Sequence, residues 1–164
     1  MNIRIAKESD LVELSDLYRQ TVLINAPQHY SPAQTKMWAS FSSNTRHFHQ
    51  FIFAGTTYVA VGETEILGFA GIGEEGHVLS TYVKHDCLHQ GIGSALMHNV
   101  IDHAHTHHIR RLYAEASEFS LGLFQKFGFC VYDTERIERN GVQFDRYLVE
   151  LHIMPELADG AAVE

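Results

Sequence analysis

The segment Gly91-Ile92-Gly93 marks the point where the chain changes from the pattern of a strand to that of a helix. The residues before it, HVLSTYV (77–83), predict a strand, and apolar residues after it recur with the spacing of one helix face, at Ile92, Ala95, Leu96 and Val100. Glycines at the mouth of a helix leave backbone N–H groups uncovered, where the helix dipole already favours negative charge. The segment therefore predicts a strand–loop–helix unit whose loop is either an anion site or a flexible turn.

The bulk properties of the chain exclude several classes of protein. Its 164 residues suffice to bury one core, and two cysteines, Cys87 and Cys130, form neither a disulfide framework nor a zinc pattern. The formal charge of -8 argues against a nucleic-acid partner, which needs a basic face, and agrees with a cationic or amine-bearing partner. No apolar run reaches membrane-spanning length and no hydrophobic signal region opens the chain, so we expect a cytoplasmic protein without a membrane partner.

The remaining patterns predict one mixed α/β domain over residues 1–154, followed by a C-terminal tail at 155–164. The predicted order is βααβββαβαββ, in which the second and third strands, and the last two, form hairpins. Strands are predicted at 2–6, 56–62, 66–74, 77–83, 110–116, 129–137 and 142–151, and helices at 9–23, 31–41, 92–105 and 120–127.

A second glycine motif offers an alternative site for a phosphate-bearing ligand. The run Gly71-Ile72-Gly73-Glu74-Glu75-Gly76 matches the dinucleotide fingerprint GxGxxG. It leads into a strand rather than a helix, and its two glutamates would repel a pyrophosphate. A dinucleotide-binding protein is therefore the weaker alternative, and the Gly91 segment is the better phosphate loop.

The segment STYVKHDCLHQGIGSALM (80–97) resembles the acyl-CoA signature of the GNAT-superfamily N-acetyltransferases, (Gln/Arg)-x-x-Gly-x-(Gly/Ala) after a strand. A second block, SEFSLGLFQKFGF (117–129), resembles the family's helix motif Asn-x-x-Ala-x-x-x-Tyr-x-x-x-Gly-Phe. The resemblance covers most of the chain and implies a single-domain fold with a central, mixed, mostly antiparallel sheet flanked by helices. It also implies transfer of the acetyl group of acetyl-CoA to a primary amine of a small molecule or peptide, directly within a ternary complex.

The same resemblance implies a set of residues that bind the CoA moiety. In the family, backbone N–H groups of the glycine loop hold the pyrophosphate, and the preceding strand pairs with the pantetheine arm. Here those positions are His89, Gln90, Gly91, Ile92, Gly93 and Ser94 for the loop, Thr81, Tyr82 and Val83 for the strand, and Ser117 and Phe124 for the second block.

Among the aligned positions that depart from the family pattern, three bear on the chemistry. Leu88 stands in place of the usual Gln or Arg, and Ser117 replaces an Asn with a shorter side chain. Phe124 takes the place of a Tyr that often protonates the departing thiolate, and Phe has no proton to donate. Either another group supplies that proton, or the protein is an acyl-CoA-binding module without catalysis.

His77 is the candidate general base for deprotonating the acceptor amine. It falls where some members of the resembling family carry a Glu base, and an imidazole, which gains and loses a proton close to neutral pH, suits the task. A histidine at the start of a strand that makes one backbone hydrogen bond is an equally good interpretation. Glu75, with Glu74, could act through a water or attract a cationic acceptor, although a solvated turn explains both.

The acceptor pocket and the assembly are inferred from the resemblance alone. In the family the region between the first two helices shapes the pocket, which here contains His29, Tyr30 and Trp38. Trp38 could equally pack a helix onto the sheet. Because dimers are frequent in the family, a homodimer is a further expectation.

Two other groups of reactive side chains are weaker candidates for sites. Cys87 beside the glycine loop could form an acyl-enzyme, but a spectator thiol is the favoured interpretation. Of the histidines at the end of the fourth predicted helix, only His103 and His107 have i,i+4 spacing, with neither an HExxH motif nor an evident carboxylate ligand. The sequence therefore predicts no metal cofactor.

Overall fold

The computed structural model describes residues 1–155, so of the predicted tail it includes only Pro155. The strands are β1 (Asn2–Ile5), β2 (Thr56–Val61), β3 (Ile66–Ile72), β4 (Val78–Val83), β5 (Arg111–Ala116), β6 (Cys130–Arg139) and β7 (Val142–His152). The α-helices are α1 (Leu11–Asn25), α2 (Pro32–Ser40), α3 (Thr45–Phe53), α4 (Ile92–Thr106) and α5 (Leu121–Lys126). Short 3-10 turns lie at Glu8–Asp10, Ala26–Gln28 and Phe41–Ser43.

The element order differs from the predicted one by a single helix, α3, between α2 and β2. Its N-cap is Asn44, whose side-chain oxygen accepts a hydrogen bond from the backbone N–H of His47 (3.1 Å). Phe48 and Ile52 are buried on its inner face. The sequence pattern misses this helix because only nine residues, several of them histidine or polar, are too few to establish a helical period.

The strands form two antiparallel sheets, of order β1-β2-β3-β4 and β5-β7-β6. The sheets meet where His77, just before β4, forms a parallel bridge to Tyr113 of β5. At this bridge the Tyr113 N–H donates to the Gly76 carbonyl (3.0 Å). Within residues 1–155 no further pairing joins β4 to β5, so an opening lies between them beyond the bridge. The mixed α/β class with a mostly antiparallel sheet is confirmed.

Helices cover both faces of the first sheet and create two cores. One core packs α4 and α5 against the sheets and includes Leu96, Val100 and Phe124. The other packs α1 to α3 against the opposite face and includes Phe48 and Phe69. Each such fully buried side chain contributes about 1.5–3 kcal/mol relative to exposure. None of the helices in residues 1–155 combines the length and the apolar character that crossing a membrane requires.

Both predicted hairpins are present. β2 pairs with β3, and β6 pairs with β7 through the turn Asn140-Gly141. The φ angles of Asn140 (47°) and Gly141 (80°) are both left-handed, as a two-residue turn that matches the twist of a hairpin requires.

Candidate active site

Gly91 is the N-cap of α4 and has a left-handed backbone, with φ of 83°. A Cβ atom at this position would have no heavy atom within 4 Å, so the space in front of the helix is open. The first-turn N–H groups of an α-helix have no partner inside the helix, and here they begin at Ile92. Gly93 has a different role, because its Cβ would lie 3.3 Å from the Cδ2 atom of Leu123 in α5. The α4 terminus is thus exposed at Gly91 and packed at Gly93.

A cation lies beside this helix terminus. The Lys126 ammonium of α5 donates to the Ser94 hydroxyl in the first turn of α4 (2.9 Å). An anion at the α4 terminus would therefore meet both a helix dipole and a lysine. Sequence reasoning missed Lys126, although it lies one helical turn after Leu123, the residue against which Gly93 packs.

The β4 edge that faces β5 presents backbone groups to the opening. The Lys84 N–H donates to the Leu67 carbonyl (2.8 Å), so in this antiparallel pair the preceding residue, Val83, directs its N–H and C=O away from β3. The same alternation directs the backbone groups of Thr81 away from β3. The Val83 carbonyl accepts a hydrogen bond from the Thr21 hydroxyl of α1 (3.2 Å). Besides this occupied carbonyl, the Thr81 groups and the Val83 N–H of the β4 edge can pair with an extended ligand between β4 and β5.

Tyr82 packs its side chain against the core formed by α1 to α3, whereas Val83 packs against the core on the opposite face. Its ring packs on Tyr18 and Phe69, with centroids 4.7 and 5.3 Å away. Its hydroxyl accepts a hydrogen bond from Trp38 Nε1 (3.2 Å), and burial raises the pKa of Tyr82. Tyr82 thus positions β4 through its side chain, whereas its backbone pairs with β3.

A bulge interrupts β4 close to where it separates from β5. Gly71 pairs with Ser80 but Ile72 pairs with Val78, so Leu79 has no partner on β3. β-Bulges bend a strand and re-aim its groups, and they are over-represented beside active sites. The Ser80 hydroxyl is buried without a hydrogen-bond partner among residues 1–155. No sequence signal marks this bulge, because glycine-rich β3 and apolar β4 permit several registers.

His77 forms a pair with Glu115 across the bridge between the sheets. His77 Nε2 donates to Glu115 Oε2 (2.6 Å), and the imidazole lies flat on the Tyr113 ring, with centroids 4.8 Å apart and planes at 4°. The hydrogen bond from His77 lowers the pKa of Glu115 against the opposing effect of burial. The side chains are 32% and 29% exposed, so the pair is reachable from solvent. Among the described residues, no side-chain hydrogen bond is made by His77 Nδ1.

The sequence does not pair Glu115 with His77, although the alternation along β5 contains part of the signal. Leu112, Ala114 and Ala116 are buried, which places Glu115 on the opposite face with Tyr113. The contact itself depends on the bridge between two sheets, which local patterns do not encode.

The turn containing Glu75 is exposed, and the glycine motif around it is structural. Gly76 has φ of 95°, and any Cβ there would clash with the Arg111 carbonyl, so a glycine is required for β5 to approach. The motif opens strand β4, and a dinucleotide loop must open a helix. The Gly71–Gly76 motif therefore does not form the kind of loop that binds a dinucleotide.

The aromatic residues expected near the acceptor are brought together around Phe119, in the loop after β5. Tyr30 lies 5.2 Å from Trp38 and 6.1 Å from Phe119 between ring centroids, and His29 lies 5.1 Å from Phe119. The Tyr30 hydroxyl accepts a hydrogen bond from the backbone N–H of Glu118 (3.0 Å), and burial raises the pKa of Tyr30. Sequence reasoning missed Phe119, which gave no signal beyond being aromatic.

Comparison with known proteins identifies the family. Residues 26–151 match the family described as "Acetyltransferase (GNAT) domain". The chain belongs to the GNAT acetyltransferase family. It is 24% identical over 147 residues to the "Uncharacterized N-acetyltransferase YafP" of Escherichia coli K12, which covers 90% of this chain and 93% of that protein. As a GNAT acetyltransferase the protein is an acyltransferase enzyme.

Solved GNAT structures share the fold. A GCN5-related N-acetyltransferase from Rhodopseudomonas palustris superposes with a TM-score of 0.89 at 19% identity, covering 93% of this chain and 95% of that one. The PaiA N-acetyltransferase from Thermoplasma acidophilum, in complex with coenzyme A, superposes with a TM-score of 0.73 at 18% identity, covering 93% and 100%.

The second GNAT block departs from the family pattern in ways that the structure explains. The Ser117 hydroxyl accepts hydrogen bonds from the N–H groups of Phe119 (3.2 Å) and Ser120 (3.1 Å), so it stabilises the turn that begins α5. Phe124 is only 3% exposed and packs edge-on against Phe129, with centroids 5.0 Å apart. Phe124 therefore contributes to the core.

Neither cysteine chemistry nor a three-ligand metal site finds support. Burial, followed by the effect of Asp86, raises the pKa of the Cys87 thiol, so the reactive thiolate is disfavoured. Within the described part of the chain, no three His, Cys, Asp or Glu side chains converge to hold a metal ion.

Proposed function

We propose that this GNAT enzyme transfers the acetyl group of acetyl-CoA to a primary amine of a small molecule or peptide, directly within a ternary complex. One observation carries the proposal: an open helix N-terminus, an unpaired strand edge and the His77–Glu115 pair follow one another along the opening between β4 and β5. This arrangement suits a long thioester with a phosphate group at one end. The coenzyme A in the PaiA complex supports the same choice of cosubstrate.

The CoA moiety would be held mainly by backbone groups. The N–H groups at Ile92, Gly93 and Ser94, with the Gly91 turn, suit the pyrophosphate, because a helix N-terminus favours an anion. Lys126 offsets part of its negative charge. Thr81 and Val83 would pair with the pantetheine amides, as in an added strand. Leu88, in place of the usual Gln or Arg, should weaken CoA binding little, since backbone amides would make most of the contacts.

His77 would act as the base. Its Nε2 is held by Glu115, so Nδ1 accepts the proton of the acceptor amine, directly or through a water. The carboxylate of Glu115 then stabilises the imidazolium that forms. The cosubstrate supplies an acetyl thioester, and its thiolate takes a proton from solvent, because Phe124 has none to give. His29, Tyr30 and Trp38 would border the acceptor.

Membership of an acetyltransferase family argues against the non-catalytic acyl-CoA-binding alternative, which rests only on the lack of a proton donor at Phe124. The test is release of thiol from acetyl-CoA in the presence of a panel of small amines and peptide N-termini, compared between the parent and His77→Ala. Turnover that the substitution lowers by about 10²- to 10⁴-fold supports His77 as base. Binding of acetyl-CoA without turnover for any amine supports the binding module, and unchanged turnover in His77→Ala assigns the base elsewhere.

A further inference from the structure

Strand β6 forms an edge of the second sheet, and among residues 1–155 no strand pairs with its outer side. Its residues are exposed, apart from Glu135 and Ile137, which are half-buried. An unpaired edge presents free N–H and C=O groups to another strand, and native edges are commonly blocked by prolines or bulges. Residues 133–139 contain no proline, and the register shift in β6 lies before them, between Val131 and Asp133. This part of the edge is therefore open to a further strand.

The hairpin turn determines which residues of β6 offer these backbone groups. A two-residue turn closes on a hydrogen-bonded pair of residues, which here is Arg139 with Val142. Hydrogen-bonded and non-hydrogen-bonded pairs alternate along an antiparallel ladder. Thr134, Arg136 and Glu138 therefore direct their N–H and C=O groups away from β7, towards the open edge.

The charges along β6 select one way in which two copies of this edge could pair. In a symmetric antiparallel pair, outward-directed residues of one copy meet outward-directed residues of the other, so the two-fold axis passes beside a single residue. With the axis at Ile137, Glu135 lies opposite Arg139 of the second copy, and Arg136 lies opposite Glu138. With the axis at any other residue from Asp133 to Arg139, two like charges lie directly opposite each other, which is destabilising.

We propose that β6 pairs antiparallel with β6 of a second copy of this chain, with the two-fold axis at Ile137, so that the two sheets become continuous. The two Ile137 side chains then form a non-hydrogen-bonded pair, in which side chains approach most closely. Within residues 1–155 neither Glu138 nor Arg139 has an ion-pair partner, and the second copy supplies one to each. The proposal rests on the β6 edge and does not depend on the acetyltransferase function.

The test is sedimentation equilibrium of the untagged full-length chain over a range of concentrations, in which the parent should form a dimer. Glu138→Arg places an arginine opposite Arg136 of the second copy, and Arg136→Glu places a glutamate opposite Glu138. Each substitution should raise the dissociation constant of the dimer by at least about 10-fold, because like charges replace opposite ones at both symmetric positions. A mixture of equal amounts of the two variants should form a heterodimer, because every such contact then again joins opposite charges.

Glu63→Arg is the matched control, because it makes the same charge change in the exposed turn between β2 and β3 and should dimerise like the parent. Melting temperatures show whether each variant is folded, since Arg136→Glu also loses an ion pair with Asp145 of β7 (2.8 Å). The proposal is overturned if the parent is monomeric at every concentration, or if folded Glu138→Arg associates like the parent. It is equally overturned if the mixture of the two folded variants stays monomeric.

Discussion

Replacing Glu115 with glutamine tests the partnership of Glu115 with His77 most sharply. Glutamine preserves the size of the side chain but removes the charge that stabilises the protonated imidazole. A hydrogen bond to a charged group contributes about 1.5–3 kcal/mol, and exposure of about a third of each side chain reduces this to about 1–2 kcal/mol. At about 1.4 kcal/mol per tenfold change in rate, kcat should fall by about 5- to 30-fold.

The assay is steady-state acetyl transfer by the parent, Glu115→Gln, His77→Ala and the double variant. Because Glu115 acts through His77, Glu115→Gln should have no further effect once His77 is absent. Glu150→Gln is the control, since it removes a comparable ion pair, with Arg111 (2.7 Å), that does not involve His77. If Glu115→Gln lowers kcat equally with and without His77, Glu115 acts independently and the dyad is refuted.

Three further predictions concern other groups. Lys126→Ala should raise the KM for acetyl-CoA about 2- to 5-fold, because an exposed charge contact contributes little binding energy. The KM for acetyl-pantetheine, which lacks the phosphates, should not change. The Arg4 guanidinium, whose Nη1 lies 2.7 Å from Asp10 Oδ2, lowers the pKa of Asp10. The Asp10 carboxylate therefore stabilises the fold at pH values above its unfolded pKa, and this stabilisation is lost as the pH falls through the lowered pKa of the folded state. In urea unfolding, Asp10→Asn should therefore lower the free energy of unfolding by about 1–2 kcal/mol at neutral pH and by less in acid. An equal loss at both pH values would contradict the role of the Arg4–Asp10 pair. Cys87 should react slowly with a disulfide reagent at neutral pH, and Cys87→Ser should retain turnover, whereas loss of turnover would revive an acyl-cysteine route.

Local patterns account for most of the fold. The strand–Gly91–helix unit and the hairpin of the last two strands each depend on a few neighbouring residues, and each is present as predicted. α3 was not predicted because its nine residues are too few to show a helical period of apolar residues. Its burial depends instead on the sheet against which it packs. The opening between β4 and β5 was not predicted, since no local pattern indicates that two neighbouring strands separate.

The site is less accessible from sequence than the fold, because its contacts join distant segments. His77 was a candidate from its position, but its partner lies on another sheet. Lys126 reaches Ser94 through the packing of α5 on α4. The places of Ser117 and Phe124 in the motif predict contact with CoA; in the structure the Ser117 hydroxyl stabilises the start of α5 and the Phe124 ring packs in the core.

The measurement that tests the central claim most directly is calorimetric titration of acetyl-CoA into the parent, Gly91→Glu and Gly141→Glu. Both glycines have left-handed φ angles, 83° and 80°, and neither has a heavy atom within 4 Å of an added Cβ, so the two substitutions carry similar strain and the same charge. Only Gly91 lies at the α4 terminus. The account predicts that Gly91→Glu abolishes acetyl-CoA binding while Gly141→Glu binds like the parent. Equal binding by all three proteins would contradict it.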